Sequence, residues 1–268
     1  MKSLLTALVV SGLTFLAASG ASAQQDSVKR KKSDDINYGV SIRFGNKKDS
    51  TKVNKADAKG GHFGGGITFT RLDIGFVKLI DNGSFSLSPA NKELLDYKAS
   101  KTSTVSFDVL QFGYRFNSNF RIYLAGGFDW TLIRLKNNIT MQQDKEVLTA
   151  VKDNIIYSKN RFSSSYLHIP LNFELRSKEN RKGKRFYVVA GPEVAFLLNG
   201  KVKQVSDENG KVKFKDDYNF SPYSYGASFR VGTNGLSAFA KYYASDMFDS
   251  APQSGLKSMA FGLTFGIN

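Results

Sequence analysis

Residues 258–267 alternate strictly between bulky apolar side chains and small ones. A repeat of two residues predicts a β-strand, because successive side chains of a strand point to opposite faces. The small face carries Gly, Ser, Thr and Ala, where a water-facing strand would carry Lys, Glu and Gln. This combination is typical of a narrow membrane barrel, whose bulky face meets lipid and whose small face fills a tight lumen. The bulky face consists of Met259, Phe261, Leu263, Phe265 and Ile267.

The first residues have the organisation of a secretory signal peptide, which we assign to residues 1–23. Lys2 precedes an almost wholly apolar run, Leu4–Ala18, and Ala21–Ala23 supplies a small-x-small cleavage site. A membrane-anchoring helix is the alternative, but the apolar run is short and a cleavage site follows it. No later run approaches the roughly 18 apolar residues that a membrane helix needs. An exported chain of this kind can still cross a membrane as a closed barrel.

Period-two patterns predict eight strands from His62 onward. In the second strand, Thr102–Phe116, the apolar residues change from one face of the strand to the other between Val109 and Leu110, which predicts a β-bulge. The eight strands span roughly His62–Thr70, Thr102–Phe116, Asn119–Leu132, Ser163–Arg176, Arg185–Asn199, Pro222–Gly232, Leu236–Ala244 and Ser258–Ile267.

The segments between these strands alternate between long and short. The long ones are Arg71–Lys101, Ile133–Phe162, Gly200–Ser221 and about a dozen residues after Ala244, and the short ones lie near 117–118, 177–184 and 232–234. Short periplasmic turns that alternate with longer external loops are characteristic of outer-membrane barrels. The sequence therefore predicts an all-β fold, a transmembrane antiparallel up-and-down β-barrel of about eight strands, over residues 61–268.

Residues 24–60 are predicted to form a basic N-terminal arm with one short strand, Ile36–Phe44. Single-chain bacterial barrels have even numbers of strands, so this strand lies outside the barrel if there are eight. In the alternative, a further strand lies within Leu72–Ile80 and the barrel has ten strands.

The chain carries a formal net charge of +15 and no cysteine. The missing cysteine excludes disulfides, thiol catalysis and cysteine–zinc sites. Much of the positive charge falls in the arm and the loops, where each run is either a solvated surface or a binding surface for anionic lipid headgroups or polyanions. Outer-membrane lipids and lipopolysaccharide are the expected partners. Export and the missing nucleic-acid motifs argue against nucleic acid. No cofactor or metal is predicted.

Ionisable residues on the predicted inward faces are the candidate site residues. Eight strands leave an interior just wide enough for side chains to fill, and buried charges there must pair. We therefore expect a structural polar network in the lumen, with a small conduction path or proton-linked site as the functional alternative. The candidates are Asp108, Asp129, His168, Glu174, Arg176, Glu193, Arg230 and Lys241.

A lipid-modifying hydrolase is a second alternative. Only His62 and His168 could serve as an imidazole base. Ser164 shares the strand phase of His168, but four strand residues span about 13 Å, which is too far for a hydrogen bond. A nucleophile would have to come from another strand.

Four segments carry recognisable motifs: Tyr166–Leu171, Ala190–Val194, Gly61–Gly65 and Asp217–Tyr223. Together they resemble the motifs of the Bacteroidetes outer membrane β-barrel family, sometimes called PorT-like. The resemblance covers about residue 60 to the C-terminus and implies an outer-membrane location. It implies little about activity, although one branch of the family takes part in a secretion machine. The chain ends in Asn268, where many outer-membrane barrels end in an aromatic residue.

We therefore expect an integral outer-membrane protein that is not an enzyme. Its external loops or its periplasmic arm would be presented to a partner, including an envelope protein, in a structural, adhesion or secretion role. A small pore and a hydrolase remain the alternatives. A soluble exported barrel that binds lipid inside would reverse the strand faces and expose the Gly- and Ala-rich faces to water.

Overall fold

A computed structural model describes residues 61–67, 69, 71–180, 185–233 and 235–266. The predicted signal peptide 1–23 and the arm 24–60, with its strand Ile36–Phe44, lie outside the described residues. Within the described ranges, helices long and apolar enough to cross a membrane are absent.

The described part is built almost entirely of strands. One short helix, α1 (Pro89–Leu95), and two 3-10 turns, Ala99–Lys101 and Ala251–Gln253, lie in the loops. The strands are β1 (His62–Ile67), β2 (Arg71–Asp81), β3 (Ser103–Arg115), β4 (Phe120–Arg134), β5 (Ile139–Met141), β6 (Ala150–Lys152), β7 (Lys159–Arg176), β8 (Phe186–Ser206), β9 (Gly210–Asp216), β10 (Tyr223–Thr233), β11 (Leu236–Tyr243) and β12 (Leu256–Gly266).

The sheet closes into a ring of eight antiparallel strands, in the order β2, β3, β4, β7, β8, β10, β11 and β12. The last strand closes the ring by pairing with β2 from Leu256↔Asp81 to Gly266↔Arg71. Closure gives each of these eight strands a partner on both sides, so none of the eight is an edge strand. This confirms the predicted all-β, up-and-down architecture of about eight strands.

One expectation about the first loop was wrong. The segment Arg71–Lys101 was expected to be a loop, but its first third forms β2. β1 pairs with the far half of β3, whereas β2 pairs with the near half, so the two occupy one ring position. The hidden strand at Leu72–Ile80 therefore exists without raising the barrel to ten strands.

The predicted strand faces agree with the structure. Bulky apolar side chains at the predicted phases are exposed on the outside of the ring, and the register of β3 against β4 shifts between Asp108 and Leu110, where the bulge was expected. The exposed apolar side chains together form an apolar band around the barrel. Its members include Ile74, Phe76, Phe112, Leu124, Phe173, Val194, Phe229, Phe261, Leu263 and Phe265.

The long loops fold into a structure that we call the cap, comprising residues 82–102, 135–158, 200–222 and 244–255. Two segments expected to be loops are partly strands. Residues 133–162 contain the β5–β6 hairpin, and residues 200–221 contain β9, paired with an extension of β8 as far as Ser206. The outer faces of these strand extensions carry polar residues. A sequence pattern of apolar residues at every second position, which predicts lipid-facing strands, is therefore missing here.

The cap has its own apolar core. Strand ends and loops together bury Val77, Leu79, Leu95, Ile133, Ile139, Met141, Phe162, Val202, Phe220, Phe248 and Leu256. Phe162 stacks on Phe220 with ring centroids 4.8 Å apart, and Tyr218 meets Phe162 edge-on at 5.5 Å. The cap is therefore a packed layer that covers the loop end of the barrel.

Tyr218 makes the cap sensitive to alkaline pH. Burial, and then the negative charge of Asp216, raises the pKa of Tyr218 to about 12. Stabilisation by the neutral phenol is thus fully present below about pH 10, the ordinary tyrosine pKa, and lost as pH rises through 12. We expect Tyr218→Phe to remove this loss, measured as unfolding temperature by intrinsic fluorescence between pH 9 and 12.

At neutral pH the Tyr218→Phe variant should be at least as stable as the wild type. The buried Tyr218 hydroxyl lacks a hydrogen-bond partner within the described ranges, so its removal costs little. Tyr223→Phe, at a tyrosine exposed on the outside of the barrel, is the matched control. An identical alkaline loss in wild type and Tyr218→Phe would contradict this account.

Candidate functional site

A buried lysine lies between two carboxylates in the middle of the lumen. Lys241 Nζ on β11 lies 2.7 Å from Asp129 Oδ2 and 2.9 Å from Glu193 Oε1. The Tyr243 hydroxyl adds contacts of 2.7 Å to Glu193 and 3.1 Å to Asp129. Thr104 Oγ1 donates to Asp129 over 3.0 Å. Strands β3, β4, β8 and β11 therefore meet through side chains across the lumen.

His168 connects this lysine to a third carboxylate, that of Asp108. The imidazole is fully buried, and its Nε2 lies 3.0 Å from Asp108 Oδ1. Its Nδ1 faces Glu193 Oε1 at 3.5 Å and Lys241 Nζ at 3.4 Å. Both ring nitrogens are therefore directed at charged groups of the barrel wall.

Two arginines extend the cluster. Arg71 Nη2 lies 2.7 Å from Asp108, and Arg71 Nε lies 3.6 Å from Asp73. Asp73 also accepts from Arg230 Nη2 at 3.0 Å and from Ser106 Oγ at 3.3 Å. We call the whole set the lumen network: Arg71, Asp73, Asp108, Asp129, His168, Glu193, Arg230 and Lys241.

The charges of the lumen network nearly cancel. Four carboxylates face three basic side chains, and all of these side chains are buried. The His168 imidazole lies among them, with Asp108 at Nε2 and with both Glu193 and Lys241 at Nδ1. Removing a single charge would leave a buried partner unpaired, which costs far more than losing an exposed ion pair.

A glycine makes the contact between β3 and β7 possible. Gly127 on β4 pairs with Asp108 on one side and His168 on the other. A Cβ at Gly127 would lie 2.8 Å from His168 Nε2 and 2.0 Å from the Phe107 carbonyl oxygen. Without a side chain there, His168 reaches Asp108 across the intervening strand.

The structure divides the eight sequence candidates into two groups. Asp108, Asp129, His168, Glu193, Arg230 and Lys241 all lie in the lumen network. Glu174 and Arg176 pair with each other at the turn end instead, close to the turn 117–119. They are separate because their positions on β7 lie six to eight residues below His168.

Sequence reasoning missed three contributors, Arg71, Asp73 and Tyr243. Arg71 and Asp73 lie on β2, in the segment expected to be a loop. Their signal was present, because Arg71, Asp73 and Gly75 alternate with Leu72, Ile74 and Phe76. Tyr243 lies on the inward face of β11, but the residue type of a tyrosine does not indicate a contact with charged groups.

The network offers little to a metal ion. Asp129, His168 and Glu193 bring ligand atoms within 4.8 Å of one another, and carboxylate and imidazole are common ligands. The Lys241 ammonium, however, already lies among these atoms. Lys241 provides the positive charge that a metal would otherwise supply.

A small cavity lies on the loop side of the network. The volume of this cavity is about 20 Å³, which is enough for about one water molecule. Ser164, Tyr166, Ser224 and Tyr243 are among its lining residues, and His168 is not. At this height, side chains of the described residues fill the lumen apart from this cavity.

A family model described as "Outer membrane protein beta-barrel domain" matches residues 62–268. The chain belongs to this family, and the protein is an integral β-barrel of the outer membrane. No curated protein matches the chain.

Two solved structures of Ail, the attachment invasion locus protein of Yersinia pestis, are similar. The complex with the heparin analogue sucrose octasulfate is 15% identical, with a TM-score of 0.32, and covers 74% of this chain and 95% of Ail. The other is 14% identical, with a TM-score of 0.31, and covers 78% and 97%.

Replacement of Lys241 tests the network directly. Lys241→Met leaves Asp129 and Glu193 buried without their shared cation, and we expect a loss of about 3–5 kcal/mol in stability. The measurement is the temperature at which the fast-migrating folded band disappears in gel electrophoresis. Lys136→Met is the control, since its 2.9 Å pair with Asp96 is exposed and should cost at most about 1 kcal/mol. Equal transition temperatures would contradict the network's role.

A pair of adjacent glycines tests the close approach at β4. Gly127→Ala should destabilise the barrel by about 1–3 kcal/mol, because the new methyl group displaces His168 or the β3 backbone. Gly126→Ala is the control, since the nearest atom to its Cβ would be Leu110 Cβ at 4.0 Å. The same gel assay gives both values, and an equally tolerated Gly127→Ala would refute the argument.

Proposed function

We propose that the protein is a non-enzymatic, non-conducting barrel that presents its cap at the cell surface to a partner. Its role is structural, adhesive or part of a secretion complex. The observation that supports this proposal is that the lumen is filled at two heights along the barrel. The ion-paired network fills its middle, and the apolar core of the cap fills its loop end.

The closed lumen argues against the pore alternative. An eight-stranded ring leaves room only for side chains, and the cavity beside Ser164 and Tyr166 holds about one water molecule. Opening a path would require the buried pairs of Lys241 and Arg230 to separate, and this is energetically costly.

The surroundings of His168 argue against the hydrolase alternative. A catalytic imidazole needs one nitrogen within hydrogen-bond reach of a nucleophile and an orienting group on the other. Here Asp108 lies at Nε2, while Glu193 and Lys241 lie at Nδ1. Among the described residues, no serine hydroxyl contacts His168.

The cap is the surface available to a protein partner. It is a folded layer, and several of its apolar side chains remain exposed, including Phe85, Val151 and Ile156. Long loops of outer-membrane barrels face the outside, and this general tendency supports a cell-surface orientation of the cap. Outer-membrane lipids and lipopolysaccharide surround the apolar band below it.

We also propose membership of the Bacteroidetes PorT-like group and export through the signal peptide 1–23. The segments Tyr166–Leu171 and Ala190–Val194, which carry the resemblance, are neighbours in the barrel, with Ile169 opposite Val194. They supply His168 and Glu193 to the lumen network.

Cysteine labelling tests the orientation of the cap, since the natural chain has no cysteine. Ile156→Cys, in an exposed cap loop, should react with a membrane-impermeant maleimide in intact cells. Ser118→Cys, in the exposed turn at the opposite end, should react only after the outer membrane is permeabilised. The reverse pattern would overturn the proposal.

Reconstitution tests the two negative parts of the proposal. In planar bilayers we expect the purified protein to give no stepwise ionic current, and incubation with outer-membrane lipids should give no cleaved product by mass spectrometry. A stable conductance would establish a pore. Lipid cleavage that His168→Ala abolishes in a folded barrel would establish the hydrolase.

A further inference from the structure

Eight cationic residues lie on one face of the sheet where β4, β7, β8 and β9 extend beyond the apolar band. Cross-strand partners in antiparallel sheets point to the same side. The pairings therefore align their side chains into rows on the outside of the barrel. We call this set the cationic face: Arg134, Lys159, Arg161, Lys201, Lys203, Lys211, Lys213 and Lys215.

The opposite side of the same strands is apolar and faces the cap core. Phe162 and Val202 are fully buried there, and Phe214 packs against them. Because strand side chains alternate between faces, burial of these residues fixes the neighbouring lysines and arginines on the outside. The three lysines of β9 are exposed, and the other five cations are partly exposed.

The rows follow one another in a definite order up the barrel. Trp130, Ser165 and Asn199 form an interfacial row at the top of the apolar band. Next comes the row Leu132, Ser163, Lys201 and Lys215, followed by Arg134, Arg161, Lys203 and Lys213. The last row has Lys159, Val205 and Lys211.

This order places the cations at the height of the lipid headgroups. Rows two residues apart are separated by about 7 Å along the strands, and the tilt of barrel strands shortens the height. The row containing Arg161 thus lies on the order of 10 Å above Trp130, whose ring type prefers the membrane interface. Leu132, next to this surface, still belongs to the lipid-facing side.

Neighbouring side chains of the cationic face repel one another because they carry like charges. Arg134 lies opposite Arg161, Lys203 opposite Lys213, and Lys201 opposite Lys215. Like charges directly opposite in a sheet are destabilising. The nearby charge of Lys211, and then those of Arg161 and Lys213, lower the pKa of Lys203, which lies beyond the apolar band.

The described residues do not neutralise this charge. Within the described part of the chain, none of the eight cations has a carboxylate within 4 Å. The Arg134 guanidinium, for example, donates to the Ser158 carbonyl oxygen over 2.6 Å. An anion from outside the protein would both relieve the repulsion and find several donors within one patch.

We propose that the cationic face binds the phosphate groups of a phosphorylated lipid of the outer leaflet. This deepens the proposed function and rests on the external orientation of the cap. The continuity between the lipid-facing row at Leu132 and the cations above it favours a membrane lipid over a soluble polyanion. In this arrangement the acyl chains lie against the apolar band. The phosphates contact Arg161, Lys203 and Lys213, which together with Arg134 form the row that we call the central row.

The test compares two variants with the same change in net charge. One, the central-row variant, replaces three of the four cations in the row that also contains Arg134: Arg161→Gln, Lys203→Gln and Lys213→Gln. The other replaces three exposed lysines elsewhere in the cap, Lys92→Gln, Lys98→Gln and Lys101→Gln. The full chain in detergent micelles is mixed with bisphosphorylated lipid A, dephosphorylated lipid A or inorganic polyphosphate, and retained ligand is quantified by native mass spectrometry.

We expect wild type and the cap control to retain bisphosphorylated lipid A equally. The central-row variant should bind it on the order of 100-fold more weakly, since each cation near an anionic surface contributes roughly fivefold. Added salt should weaken binding as well. The gel assay should show the central-row variant folded and no less stable, because it has lost repelling charges.

Three results would overturn the proposal. They are equal binding by the central-row variant, equal retention of dephosphorylated lipid A, and retention of polyphosphate without the phosphorylated lipid. Because the assay is done in detergent, it does not depend on how the barrel is oriented in cells. A cap that is unlabelled from outside would therefore refute the proposed function separately from lipid binding.

Discussion

The closing pair of strands, β2 and β12, is the interaction on which the rest of the structure depends. Backbone N–H and C=O groups in lipid have no water to bind, so a sheet can cross the membrane only when every strand has two partners. The closing pair supplies the missing partners and turns a sheet into a ring of eight. It also brings Arg71 and Asp73 to the lumen wall.

Ring size then dictates what the lumen contains. In an eight-stranded barrel the inward side chains from opposite walls meet, so an inward charge is buried whether or not it serves a function. Lys241 on β11 finds Asp129 on β4 across the lumen, and Gly127 leaves the space in which His168 reaches Asp108. The network is the way in which this barrel accommodates charges that it cannot expose.

The distribution of apolar and polar residues between the inside and the outside of the barrel reverses along its axis. In the band the outside is apolar and the inside polar, whereas in the cap the inside is apolar and the outer face of β7, β8 and β9 is cationic. Phe162 and Lys201 belong to strands that also carry lipid-facing residues lower down. The medium around each height of the strand, lipid or water, accounts for this change.

Strand alternation is a local property of the chain, so the residues of most strands, the face that each side chain takes and the bulge in β3 could be predicted from the sequence. The same pattern did not distinguish β2 from a loop or reveal β9, since their outer faces carry charged residues as well as, or instead of, lipid-facing ones. Which inward charges meet could not be predicted in this way. Glu174 and Arg176 share the inward phase of His168, yet they lie at the turn end, apart from the lumen network. Contacts across a barrel depend on strand register and height, and these are set by the pairing of segments distant in sequence.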